Sequence, residues 1–209
     1  MPPNADHLAL VQWLSPAFPV GTYAYSQGLE QAITDGHVRD AATLSGWITA
    51  VLTHGSARMD AILLAHARTT DGLADLAYAI AASAERSLEM RDQGAAFGQT
   101  IAALTGTPQP ALPYALALGH ASRRLSLPTE AVLAHYLQSL AAQLVSAAVR
   151  FVPLGATAGQ GVMSALLPLI TRLADTFAQE PLENLSSATI GADLAAMRHE
   201  TLAVRIYRS

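Results

Sequence analysis

Apolar residues recur at helical spacing along almost the whole chain, and no run alternates with period two for long enough to make a strand. The strongest stretch lies between Glu130 and Arg172, where the only formally charged side chain is Arg150. Leu133, Tyr136, Leu137, Leu140, Leu144, Val145, Ala148 and Val149 repeat at helical intervals, and the opposite face carries only His135, Gln138, Ser139, Gln143 and Ser146. Pro128 and Glu130 suit a first helical turn, so the spacing predicts a helix from near Pro128 to about Phe151. Val152-Pro153-Leu154-Gly155 breaks it, and Gly159 and Gly161 loosen the backbone that follows. The period then resumes through Val162, Met163, Leu166, Ile170, Leu173 and Phe177, with a kink expected at Pro168. A membrane hairpin competes, because the first run is long enough to cross a bilayer. Its amides and hydroxyls, and its kinked, Gly-rich neighbour, favour instead a central helix wrapped by the others of a soluble bundle.

Ahead of this pair, Asn4 or Asp6 caps a short helix holding Leu8, Val11, Trp13 and Leu14 that ends at Ser15-Pro16. Residues 15–30 form an irregular turn before a helix with Leu29 and Ile33, closed by Gly36. Asp40 caps a helix with Leu44, Trp47, Ile48, Val51 and Leu52; Gly55 separates it from one with Met59, Ile62, Leu63 and His66. Leu73, Leu76, Ala77, Ile80, Ala84 and Leu88 continue the period. The cluster Glu85, Arg86, Glu89, Arg91 and Asp92 at its end reads as a solvated face. A helix with Phe97, Ile101 and Leu104, the connector 106–110 and a helix from Pro113 lead to the central pair. Gln179-Glu180-Pro181 is a linker, followed by a helix near Ile190 to Met197 and a tail, 198–209. The pattern predicts an all-α fold, a single-domain helical bundle over 1–209 with about nine or ten helices around a buried central one.

Half of the 209 residues are apolar, enough for one sizeable core. There is no cysteine, which excludes disulfides, thiolate metal sites and thiol nucleophiles. Every one of the 12 basic residues is arginine, which excludes a phosphate-loop lysine and a Schiff base, so any nucleotide is held by another protein. The net charge of −4 with scattered arginines argues against nucleic acid. No signal peptide is visible, and a cytoplasmic location is the default. No two histidines stand three, four, seven or eight apart, and no serine lies on a Gly-x-Ser-x-Gly elbow. The residues nominate no catalytic, cofactor-binding or metal-binding site.

Two regions remain. The turn at 15–30 contains two tyrosines, two prolines and a phenylalanine, and the tail concentrates three arginines with Ile206 and Tyr207. Tyrosine and arginine anchor interfaces. By residue type alone, these segments either staple onto their own bundle or meet a partner.

The same segments carry a resemblance. Ser15-Pro-Ala-Phe-Pro-Val-Gly with Tyr25-Ser-Gln-Gly-Leu-Glu30, then Val149-Arg-Phe-Val-Pro-Leu-Gly155 with Gly159-Gln160, then Met197-Arg-His-Glu-Thr201 with the closing Arg-x-Tyr-Arg-Ser, resemble the urease accessory protein F family in order and separation. Ala156 stands where the family usually has glutamine and Gly161 where a longer side chain is commoner, departures that bear on this loop's polar contacts and not on the fold. The resemblance implies a non-enzymatic helical scaffold of nickel-urease maturation. It implies a homodimer that binds the D/H accessory protein through its tail, recruits the nickel-carrying GTPase G and serves apo-urease through that complex. Its partner-binding residues map to Tyr23, Tyr25, Arg198, His199, Glu200, Arg205, Tyr207 and Arg208, with Tyr23 and Arg205 matching the GTPase-docking positions. Two alternatives stand beside the scaffold: a GTPase activator that lends Arg205 to the partner's transition state, and an unrelated ligand-binding bundle.

Overall fold

Ten α-helices and two short 3-10 turns, at Thr22–Ala24 and Leu182–Asn184, account for the regular structure of the computed structural model, which describes residues 3–209 and side chains from Ala5 onward. The helices are α1 Pro3–Trp13, α2 Leu29–Thr34, α3 Ala41–His54, α4 Ser56–Ala67, α5 Ala74–Ala79, α6 Ala84–Thr105, α7 Tyr114–Ser122, α8 Thr129–Phe151, α9 Gly155–Phe177 and α10 Ile190–His199. The all-α expectation holds.

The central helix is α8. It packs against α1, α2, α3, α4 and α9, and Val132, Leu133, Leu137, Ala141, Leu144 and Ala148 are buried on it. By length and composition α8 could span a bilayer, but its apolar side chains are covered by protein. Its polar residues are not idle. Ser139 Oγ donates to the Leu14 carbonyl at 2.9 Å, and the Gln143 amide donates to the carbonyls of Thr22 and Tyr25 at 2.6 and 2.9 Å, so this face fixes the 15–30 turn. From that turn Phe18 enters an aromatic cluster with Trp13, Phe97, Tyr114 and Tyr136, whose neighbouring ring centroids lie 5.6–6.4 Å apart.

Two expectations need correction. Gly159 does not loosen the chain: α9 begins at Gly155, and a Cβ at Gly159 would lie 2.8 Å from Val149 Cγ2, so glycine lets α9 sit close on α8. Pro168 lies inside α9 as expected, on its exposed side, where water can satisfy the carbonyl one turn back, and the helix continues to Phe177. The period from Leu73 to Leu88 belongs to two helices, split before Ser83, whose hydroxyl accepts the Arg86 N–H at 3.0 Å and caps α6. Asp40 caps α3 in a reciprocal box with Thr43, as its position predicts. Asp6 instead accepts the Ser126 N–H at 2.8 Å and ties α1 to the turn before α8; the Asn4 side chain lies outside the described residues.

Candidate functional site

The charge cluster at the start of α6 is not a solvated face. Arg86 and Glu89 are buried, and the Arg86 guanidinium pairs with Asp60 of α4 and, at 2.8 Å, with Glu89. Tyr136 donates to Asp60 Oδ2 at 2.7 Å; the Gln93 and Gln27 amides donate to Glu89 Oε1 at 3.1 and 3.2 Å. Burial opposes the charge on Arg86, but the facing Asp60 and Glu89 carboxylates win and raise its pKa. Burial, reinforced by Asp60, holds the Tyr136 hydroxyl well above its ordinary value, so it stays a donor. Gln27 reaches this network from a left-handed backbone, φ 54°, a conformation a side-chain-bearing residue keeps only where its surroundings fix it. Gly28 follows at φ 80°, with its Cα pressed so closely on α10 that a Cβ would meet the Ala196 nitrogen at 2.7 Å.

One residue before Arg86, a second cluster holds the tail. His199, at the end of α10, is fully buried with Nδ1 2.8 Å from Glu85 Oε2 and Nε2 3.0 Å from Glu30 Oε2. Glu30 also accepts the main-chain N–H groups of Ile206 at 2.9 Å and Tyr207 at 3.0 Å. Burial pushes the Glu30 carboxyl up, yet the bonds from His199, Tyr207 and Ile206 outweigh it and leave it below the usual range. Glu85 Oε1 takes Arg205 Nη1 at 2.7 Å, and Glu200 accepts the Ala84 N–H at 2.8 Å, supplying a cap to α6. The segment then runs beside the 15–30 turn: Arg208 N–H bonds the Ala24 carbonyl at 2.7 Å, and Ser26 N–H bonds the Ser209 oxygen at 2.6 Å. Tyr207 is the apolar anchor, buried against Phe151 at 5.5 Å, with its hydroxyl facing Arg150 without a closed hydrogen bond.

The eight nominated residues therefore divide. Tyr25, His199 and Tyr207 are buried; burial raises the Tyr25 hydroxyl against the opposing pull of Arg208. Tyr23, Arg198, Glu200, Arg205 and Arg208 are exposed. Tyr23 is 67% exposed on the 3-10 turn that Gln143 fixes, whereas Phe18, Val20 and Tyr25 of the same turn are core residues. Beside the tail, α10 shows an uncovered apolar row, Ile190, Leu194 and Met197, and in the tail itself Val204 and Ile206 are exposed as well.

Sequence reasoning missed Glu30 and Glu85, the two acceptors that seat the tail. For Glu30 a signal exists: no basic residue lies three or four positions away on its helix, so a buried carboxylate there must find its cation elsewhere in the fold. The α8–α9 face holds an open groove of about 480 Å³ lined by Ala142, Ser146, Arg150, Ala156, Gln160 and Leu167. Gly161, on the exposed side of α9, has nothing within 4 Å of a Cβ position, so both departures from the family pattern lie where the fold does not depend on them. Among the described residues no three His, Asp or Glu side chains converge as a metal site.

The family model UreF matches residues 38–167. The chain is 57% identical over 209 residues to the urease accessory protein UreF of Cereibacter sphaeroides strain KD131, covering 99% of this chain and 100% of that protein. It is 48% identical over 208 residues to urease accessory protein UreF of Dinoroseobacter shibae, covering 98% and 99%, and 47% identical over 211 aligned residues to that of Paracoccus denitrificans, covering 99% and 98%.

Proposed function

Because this chain belongs to the UreF family of urease accessory proteins, we propose that it is a non-enzymatic, cytoplasmic scaffold of nickel-urease maturation that bridges the D/H accessory protein and the GTPase G. In this reading α10 and the tail 198–209 dock D/H, Tyr23 and Arg205 dock G, and the assembled complex delivers nickel to apo-urease. The observation that carries it is the uncovered apolar row Ile190, Leu194 and Met197 on α10, together with the exposed Val204 and Ile206 that flank the exposed Arg205 in the tail. An apolar surface with an arginine and a nearby tyrosine turn has the composition of an anchor site for a partner. Leu8 and Val11, 66% and 51% exposed and three residues apart on α1, support self-association into a two-fold homodimer.

Arg205 could instead be lent to the GTPase transition state. Its bond to Glu85 at 2.7 Å favours docking, since an arginine acting in the partner's site would have to give up that carboxylate. A rise in single-turnover GTP hydrolysis that disappears with Arg205→Ala would reverse the preference. The test of the scaffold is capture from cells expressing the urease operon. The unaltered chain should retain D/H and G, and Leu194→Asp with Ile206→Asp should lose D/H. Unchanged capture by the double variant would remove α10 and the tail from the interface.

A further inference from the structure

The tail is seated by polar contacts more than by apolar area. Tyr207 is buried, but Val204 and Ile206 are 79% and 70% exposed, and the remaining attachments are polar. At their centre both ring nitrogens of His199 face carboxylate oxygens, Glu85 at 2.8 Å and Glu30 at 3.0 Å. A neutral imidazole has a single N–H, and its other nitrogen would meet a carboxylate lone pair to lone pair. With both carboxylates ionised, both contacts are hydrogen bonds only when the ring carries two protons. The same two carboxylates hold the tail, Glu30 through the N–H groups of Ile206 and Tyr207 and Glu85 through Arg205.

We infer that His199 is a positioning residue, a protonation-controlled pin that seats segment 200–209 and holds Val204 and Ile206 toward the D/H partner, and Arg205 toward the GTPase, in one arrangement. The inference rests on the tail being the docking surface. The charged groups around the pin are Glu30 from α2, Glu85 from α6, Arg205 from the tail, Glu200 at the end of α10 and, behind Tyr207, Arg150 from α8. With the ring protonated, His199 and Arg205 balance Glu30 and Glu85. Loss of the ring proton leaves two carboxylates against one arginine and sets a ring lone pair against one of them, a repulsion that loosens the carboxylates on which the tail is seated.

The test is hydrogen exchange at the Ile206 and Tyr207 amides of the full-length protein, expressed as protection factors so that the intrinsic pH dependence cancels, with affinity for the D/H protein measured at each pH. From about pH 6 to about pH 9, wild-type protection should fall about tenfold or more, the scale of one charge-assisted hydrogen bond. His199→Gln should show low protection that does not respond to pH. Glu85→Gln, which keeps the shape and removes one charge, should move the fall to lower pH, and it decides the matter if His199→Gln does not fold. Constant wild-type protection, or a His199→Gln tail protected and titrating like the wild type, would overturn the pin. If protection follows the expected pattern while D/H affinity stays constant, the pin stands as a latch and the docking reading falls. If affinity requires the tail but the tail does not respond to pH, the docking reading stands and the pin falls.

Discussion

Two ion clusters meet on the first turns of α6, one built on Arg86 and the other ending on its neighbour Glu85. The Arg86 cluster is closed: Asp60, Glu89, Tyr136, Gln93 and Gln27 surround a cation that no accessible pH discharges, because its pKa is raised from an already high value. The Glu85 cluster is half open, with Arg205 exposed along 44% of its side chain and a histidine in place of a permanent cation. Both use charge to join segments distant in sequence. The difference lies in what happens when a partner is removed: a sealed cluster leaves bare charges in the core, and an open one lets its segment lift into water.

Removing the cation of each cluster should separate them most sharply. Arg86→Met strands Asp60 and Glu89 together without a counter-charge and should cost about 3–5 kcal/mol, against a total stability of about 5–15 kcal/mol for a domain. Arg205→Met, at a half-exposed pair, should cost about 1 kcal/mol or less. Urea denaturation followed by circular dichroism measures both; equal losses would mean that the tail is as integral to the fold as Asp60.

Binding should reverse that ranking. Tyr23→Ala and Arg205→Ala should each weaken GTPase binding by about 2 kcal/mol or more if they are anchors, while changing stability by no more than about 1 kcal/mol. Calorimetric titration with the GTPase, paired with thermal melts, reads the two quantities. Retained binding in both variants would remove them from the docking surface, and a collapsed melting temperature for Tyr23→Ala would return that exposed ring to a packing role.

The contrast also marks what could be read in advance. The helical period exposed α8, α9, α3 and the all-α architecture, because burial imposes apolar spacing on every helix that touches the core. The motif segments led to the turn and the tail, and the resemblance implied that Tyr23 and Arg205 share one docking surface, but the contacts that seat the tail were not legible. Glu30 and His199 stand 169 residues apart, and pairing across that separation leaves no local trace. Arg86 and Glu89 misled for a related reason: a charge run on one helix looks solvated until the Asp60 and Tyr136 that neutralise it from other helices are seen. Tyr23 and Tyr25 differ by two positions in sequence, yet one ring is core and the other is surface, a choice made by the turn that Gln143 holds from α8.

Acid should act on the open cluster through Glu30. Its folded pKa lies below the ordinary 4.5, so its contribution to stability is fully present above that value and is lost as pH falls through the depressed one. Below about pH 4.5 the Ile206 and Tyr207 amides should therefore lose protection, while the helical circular dichroism of the bundle persists through the onset of that loss. Simultaneous loss of tail protection and helicity would erase the distinction between a conditional and a permanent cluster.

The smallest effect concerns Ile206, where side chain and main chain have separate tasks. Its side chain is 70% exposed and its N–H bonds Glu30 at 2.9 Å. Ile206→Ala keeps the N–H, and with it the contact that seats the tail, while removing apolar surface that is mostly uncovered in the isolated chain. Stability should stay within about 0.5 kcal/mol of the wild type, and protection of the residue 206 amide should be unchanged. Affinity for the D/H protein should fall by about 1 kcal/mol or more, the transfer free energy of the deleted methyl and methylene groups buried at an interface. A loss of amide protection would show that the side chain helps to seat the tail after all. Unchanged affinity would place the partner elsewhere and leave this apolar surface without a use.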